Sequence, residues 1–369
     1  MSKPLLIFSL RNLYQDLCRC SDYEFEDVID EVSNADFYLP DHRYRKLVLS
    51  VFSQSLSRKT LGVPWNPSFR FPKIEKNYDV FFAMLMFAYD LEVLHRMPDW
   101  SSKVGYSICY IDESFDNSFK LYSSYLMVLR RFDCVVINCS QTEHAVLKAQ
   151  GVKVLVVSSG IDAIRFFPGL PRSSRPIDIF SIGRRDDEVH GQYLKLESDD
   201  EWLYLYDTAV FKAFIDYRKN RENLSKMMSR SKFFVVNLAK FDCPEDIGIQ
   251  EEIGFRYFEG AAAGNVIVGP IPNNPNFKKH FPWKESVVEL PKDSIDIPDF
   301  MKDLKTDADR LARISFDNVK GSLEMHDYVH RWEAIVEGCG LEIPSGIQLR
   351  KEKLQELISS LSETGSVYV

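Results

Sequence analysis

Two carboxylates, Glu251 and Glu259, bracket the opening of the stretch EEIGFRYFEGAAAGNVIV, residues 251–268. Each can accept two hydroxyl hydrogen bonds at once, which suits the vicinal diols of a sugar or a ribose. Gly254 lies between them and can supply a tight turn from which a helix starts. The free N–H groups and positive dipole end of such a helix hold a diphosphate. If the step from Glu251 to Glu259 were helical throughout it would span about 12 Å, comparable to the distance between the sugar and the ribose of a nucleotide sugar. Ile253 and Phe255 flank Gly254 and belong to the same donor-side set. The competing reading is an amphipathic helix with two solvated acids.

The elements that must position these groups are legible around them. Phe255, Phe258, Ala262 and Ala263 fall near helical spacing, Gly264 is a C-terminal stop, and Val266 to Val268 reads as a buried strand. Upstream, Leu5–Leu10, Asp79–Leu85, Val104–Ile111, Cys134–Ser140 and Val152–Val157 are strand candidates separated by helical or polar sequence. That alternation predicts a parallel sheet with ligands bound beyond the carboxyl ends of its strands. Asp112 and Glu113 follow directly on one such strand and are the candidate acceptor-side acids, able to receive or orient a hydroxyl proton. The same pair could instead cap the next helix. A second alternation opens at Ile177–Ile182 and ends in Gly183-Arg184-Arg185.

The stretch 251–268 resembles the E-x7-E signature of the retaining "group 1" glycosyltransferases of GT-B architecture. The first acid falls on Glu251, the glycine on Gly254, the second acid on Glu259, and the small-residue run on Gly260 to Gly264. Asn265 stands where the family usually has proline. SSGIDAIRFFP, residues 158–168, looks like the family's stretch at the domain junction, and Arg184 matches the arginine that the family sets against the donor diphosphate. The family's following lysine is replaced by His190-Gly191, with Lys240 as a stand-in, and its acceptor-side histidine has no counterpart. The resemblance implies an α/β fold of two Rossmann-like domains facing each other across a cleft. Residues 1–168 would take the acceptor, 169–345 the nucleotide sugar, and 346–369 would form a helix and tail crossing back to the first domain.

The implied activity is transfer of a sugar from a nucleotide sugar to a hydroxyl acceptor (a glycan, a lipid-linked acceptor or a small molecule) with retention. Glu251, Arg184, Asp112 and Glu113 are the catalytic candidates; Glu259, Gly254, Gly183, Arg185, Lys240, Ile253 and Phe255 are the donor-binding ones. No metal and no cofactor beyond a UDP- or GDP-linked sugar is implied. A sugar-nucleotide epimerase and a catalytically silent nucleotide-sugar binder or scaffold of a polysaccharide-synthesis complex are the alternatives.

Composition sets the remaining limits. With 369 residues the chain can build two cores, and 45% apolar with 27% charged residues is a globular balance. A net charge of −8 argues against general nucleic-acid binding. The seven cysteines form no C-x-x-C pair, so zinc sites and a disulfide framework are not expected. No run reaches membrane-spanning length and the N-terminus lacks a convincing signal-peptide core, which together predict a cytoplasmic protein. Residues 43–76 reverse the overall sign: eight basic residues (Arg43, Arg45, Lys46, Arg58, Lys59, Arg70, Lys73, Lys76) face a single acid, Glu75, with aromatics interleaved. Such a segment could rest on anionic lipid headgroups at the inner face of the cell membrane, or be a solvated helix face and loop.

Overall fold

A computed structural model describes residues 4–42, 69–142, 144–168, 172–198, 201–207, 216–291 and 293–363. Twelve strands occur among them: β1 (Leu5–Phe8), β2 (Asp36–Tyr38), β3 (Asp41–His42), β4 (Phe69–Arg70), β5 (Tyr78–Phe87), β6 (Val104–Glu113), β7 (Cys134–Ile137), β8 (Lys153–Val156), β9 (Ile177–Ser181), β10 (Tyr204–Tyr206), β11 (Ser231–Val235) and β12 (Val266–Val268). Two parallel sheets dominate, ordered β2-β1-β5-β6-β7-β8 and β10-β9-β11-β12. Helices cover their faces, and strands β1, β7, β9 and β12 are buried end to end. Uniformly apolar segments such as CVVI and VIV fit strands buried on both faces.

The helical stretch from 297 to 325 is broken in two, Ile297–Thr306 and Ala308–Met325. Asp307 breaks it by leaving helical geometry (ψ 73°) and accepting the Arg310 N–H at 3.2 Å. The helix Tyr217–Met228 starts where Asp216 caps the N–H groups of Arg218 and Lys219. The edge strand β2 and the short helix Leu91–Arg96 had no periodic signal long enough to find.

The segment between the sheets is stapled. Asp162 caps the short helix Ala163–Phe166, and Arg350, from the helix Ser345–Glu363, bonds Asp162 at 2.7 Å and Asp327 at 2.8 Å. That last helix lies against the first one, Cys20–Ser33; a side chain at Gly346 would sit 2.3 Å from the Val32 carbonyl oxygen. Phe25 stacks on Tyr328 at 4.7 Å, and Trp332 donates to the Ser33 hydroxyl at 2.9 Å. Elements following the second sheet in sequence therefore complete the core of the first.

Of the basic stretch 43–76, residues 43–68 lie outside the described residues; beyond them Lys76 pairs with Asp36 at 2.5 Å. No helix among the described residues is long and apolar enough to cross a membrane.

Candidate functional site

The carboxyl ends of β9, β11 and β12 converge on the start of the helix Phe255–Ala262. After β9 the chain turns at Gly183, whose φ of +88° is one that only glycine adopts without strain. The turn is held by the Gly183 N–H donating to Asp207 at 3.1 Å. It presents Arg184, which is half-exposed and paired with Asp242 at 2.5 Å, while Asn237 bonds the Arg184 carbonyl oxygen at 3.0 Å. Arg185 turns back onto Asp207 and the Tyr206 ring, so its charge serves its own loop.

Gly254 is the N-cap residue of the helix Phe255–Ala262, and its φ of −72° is open to any residue. The special turn expected there is not required, and a side chain at 254 would make only ordinary contact with Ala239 at 3.7 Å. Its value lies elsewhere: no side chain caps this helix, which leaves its first N–H groups available to an anion. Arg256, in the first turn, comes within 3.6 Å of where a side chain at Gly183 would begin. Sequence reasoning missed Arg256 although it is the only basic residue in the stretch 251–268. Phe255 is half-buried at the helix start, and Ile253 packs against the core.

Glu251 and Glu259 differ sharply in setting. Residues 251–254 lie outside any helix and the helix begins at Phe255, so the fully helical spacing does not apply. Glu251 is half-buried and accepts the Asn273 N–H at 2.6 Å, while its own N–H donates to the Gln141 side chain at 2.8 Å. Glu259 is 1% exposed, and its two oxygens are taken by Arg221 and Arg256. Burial alone would raise its carboxyl pKa, but Arg256 and Arg221 outweigh burial and hold it below the usual range. Arg221 continues to Glu24 of the first helix at 2.9 Å, so the second acid belongs to an internal ion network joining both halves. No spacing rule pointed to Arg221 or Glu24.

On the facing side, Asp112 and Glu113 end β6. They do not cap the next helix: Asp116–Leu121 starts after Phe115 with no side-chain cap. Asp112 is buried and accepts from Asn138 at 2.6 Å through one oxygen, while its other oxygen has no hydrogen-bond partner. Burial first, then repulsion from Glu113, pushes its pKa well above the carboxylate range. Asp22, in the first turn of Cys20–Ser33, also keeps an oxygen unpartnered; burial and then Asp112 push it up likewise.

Lys240 does not stand free as a second cation for a diphosphate. It pairs with Glu113 at 2.6 Å and Asp246 at 3.0 Å, in a left-handed conformation with φ 52°. His190, at the position of the family's lysine, bonds the Tyr204 hydroxyl at 2.7 Å. A tight seam runs beside Lys240: Glu252 accepts the Gln141 N–H at 2.7 Å and the Ser140 hydroxyl at 3.1 Å, and Gln250 accepts the Asp116 N–H at 2.9 Å. Among the described residues no group of three or more His, Cys, Asp or Glu could hold a metal ion, and all seven cysteines are free thiols.

Comparison with known proteins bears on the fold. Residues 182–337, less than half the chain, match a family described as glycosyl transferase-like. No curated protein matches the chain by sequence. Among solved structures, an alpha-glucosyltransferase in complex with UDP-glucose and DNA containing an abasic site is similar at 11% identity and TM-score 0.55, over 92% of this chain and 100% of that one. An alpha-glucosyltransferase with UDP and a 13-mer DNA containing a central A:G mismatch gives 12% identity, TM-score 0.54 and the same coverage, 92% and 100%. The Anabaena protein HepE in complex with UDP-glucose is 10% identical over 97% of this chain and 100% of that one, with a TM-score of 0.47. The fold of the chain is thus the GT-B architecture, two Rossmann-like units with a cleft between them.

Proposed function

We propose that the chain is a glycosyltransferase that moves a sugar from a nucleotide-sugar donor to a hydroxyl acceptor with retention of configuration. The observation that carries this reading is the meeting of the Gly183-Arg184 turn with Arg256 at the uncapped start of the helix Phe255–Ala262. Departure of a nucleoside diphosphate builds negative charge on its oxygens. Two guanidiniums and a helix N-terminus fixed around that position lower the barrier without needing to reorganise. Glu251, four residues before the helix, would hold hydroxyls of the sugar. Glu113, ending β6 across the junction, would receive or orient the acceptor hydroxyl, with Asp112 buried behind it. The family match over 182–337, the likeness to an enzyme solved with UDP-glucose, and the residues of the E-x7-E motif support the same reading. The DNA in those structures belongs to that enzyme's complexes.

Glu259 favours a second reading. With both oxygens held by arginines, it meets a ribose only if Arg256 moves aside. A protein that binds nucleotide sugars without transferring them would keep Arg256 in place. The first experiment is a thermal-shift screen against UDP, GDP, ADP, CMP and their common sugar conjugates, with and without magnesium, followed by donor turnover with the ligand that binds. Mass action makes a ligand far above its dissociation constant raise the melting temperature. A magnesium-independent shift with one nucleoside diphosphate, lost in Arg184→Ala, together with turnover, is the expected result. Binding without turnover favours the silent binder, and no shift with any nucleotide overturns both readings.

A further inference from the structure

Behind the strap formed by residues 250–254 lies a cavity of about 400 Å³, lined from the first half by Asn138, Ser140 and Ser159 and from the second by Glu252, Lys279 and Arg331, among others. Its volume is within the range of small-molecule sites. Arg184, Arg256, Glu251 and Glu259 do not line it; of the donor-side candidates only Ile253 does, so the cavity adjoins the proposed donor site at that residue.

The charges around this cavity are unbalanced. Arg331 is 8% exposed and has no carboxylate within ion-pair distance among the described residues. Its Nε donates to the Ser159 carbonyl oxygen at 2.8 Å and its Nη1 to that of Met325 at 2.8 Å, whereas Nη2 is buried with no partner. Asp327, the nearest acid acting on it, is already held by Arg350. A buried guanidinium left without a counter-ion is costly.

Further basic groups gather on it. His280 and His330 line the cavity with Lys279 and Arg331, so two of the chain's seven histidines are here. Burial, then Arg331 and Lys279, push His280 down to about 4, which keeps its ring neutral and able to donate a hydrogen bond. Lys279 is exposed at the rim, and no ion pair engages it among the described residues. The one acid in the lining, Glu252, has both oxygens taken, by Gln141 on one side and by Ser140 and Asn274 on the other. The cavity therefore presents two cations, Arg331 and Lys279, against one carboxylate whose oxygens are already hydrogen-bonded.

We infer that this cavity is a second binding site, for the phosphate or carboxylate group of a small polar molecule, held between Arg331 and Lys279. Because Asn138 and Ser159 come from the first half and Lys279 from the second, such a ligand bridges the two halves.

The test is calorimetric titration of the full chain with inorganic phosphate, and with citrate for the carboxylate source, each against sodium chloride of equal ionic strength. The chloride arm removes general salt effects on stability. Saturable one-to-one binding in either arm is expected. Lys279→Glu, at an exposed position that leaves the fold intact, should weaken it at least about ten-fold by replacing attraction with repulsion. UDP titrated into the same variant should bind as in the wild type, so loss of the oxyanion site is distinguishable from loss of the donor site. Arg331→Lys should weaken binding as well, and the His280 and His330 ring resonances should move on phosphate addition. No saturable binding in either arm, or equal affinity in Lys279→Glu and wild type, would overturn the assignment.

Discussion

Lys240 and Glu113 meet at 2.6 Å across the junction between the two sheets, one on the loop after β11 and the other at the last residue of β6. Both are largely buried, with side-chain exposures of 12% and 23%. A loop lysine in a left-handed backbone conformation thus ties the edge of the second sheet to that of the first. Asp246, Glu252 and Gln250 reinforce the same seam.

Removing only the cation should be worse than removing both partners. Lys240→Met leaves Glu113 in a site where burial already disfavours its charge. The expected cost is about 2 to 4 kcal/mol in urea unfolding at pH 8. Lys240→Met combined with Glu113→Gln should recover more than half of it. A double variant no more stable than the single one would show that the pair is not coupled.

Arg221 joins Glu24 of the first helix to Glu259 of the motif helix and is 3% exposed. Arg221→Met takes one arginine from each of two buried carboxylates, leaving Glu259 with Arg256 and Glu24 with Arg165, so a loss of about 3 kcal/mol is expected. Arg221→Lys keeps the charge but reaches two acids poorly, since it lacks the guanidinium fork. It should recover only part of the loss. A melting temperature for Arg221→Met within a degree of wild type would mean that the network contributes nothing.

Arg184 is a case where chemistry and stability separate. It is half-exposed and its partner Asp242 is equally open, so Arg184→Ala should change unfolding free energy by no more than about 1 kcal/mol. Turnover, where transfer is assayed with the donor found by thermal shift, should fall about 10²- to 10³-fold. A turnover within a factor of about three of wild type would remove Arg184 from the leaving-group site.

The strands and the central motif could be read from the sequence because their signals are local. LLIF, CVVI and VIV are short apolar runs, and Gly264 ends its helix with a φ of +65°, where a side chain would meet Val319 at 2.7 Å. The environment of each acid was not local. Glu251 and Glu259 have the same residue type and share a motif, yet one lies half-open beside Asn273 and the other is enclosed by Arg221 and Arg256. Arg221 lies 38 positions from Glu259 and 197 from Glu24, separations at which no periodicity operates. Lys240 was read as a cation for the ligand because the loop's path to Glu113 depends on how the two sheets dock. The same holds for Asp22, whose partner Asp112 is brought to it only by the packing of the first helix.

Asp112 gives the chain a pH dependence opposite in sign to that of a salt-bridged acid. Its carboxyl is held above the unfolded value near 3.9 by burial and by Glu113, and Asp22 beside it is raised in the same way. Folding therefore favours the protonated form. The stability this contributes is complete below the unfolded pKa and is lost as the pH rises through the folded one. Asp112→Asn keeps an oxygen to accept from Asn138 and puts an uncharged amide where the second oxygen has no partner. The variant should gain at least about 1 kcal/mol over wild type at pH 8 and little or nothing at pH 4, in urea unfolding at both values. A gain of equal size at both pH values would mean that packing, and not the buried charge, sets the effect. A loss at pH 8 would mean that Asp112 is stabilised as a carboxylate, against the burial and repulsion seen around it.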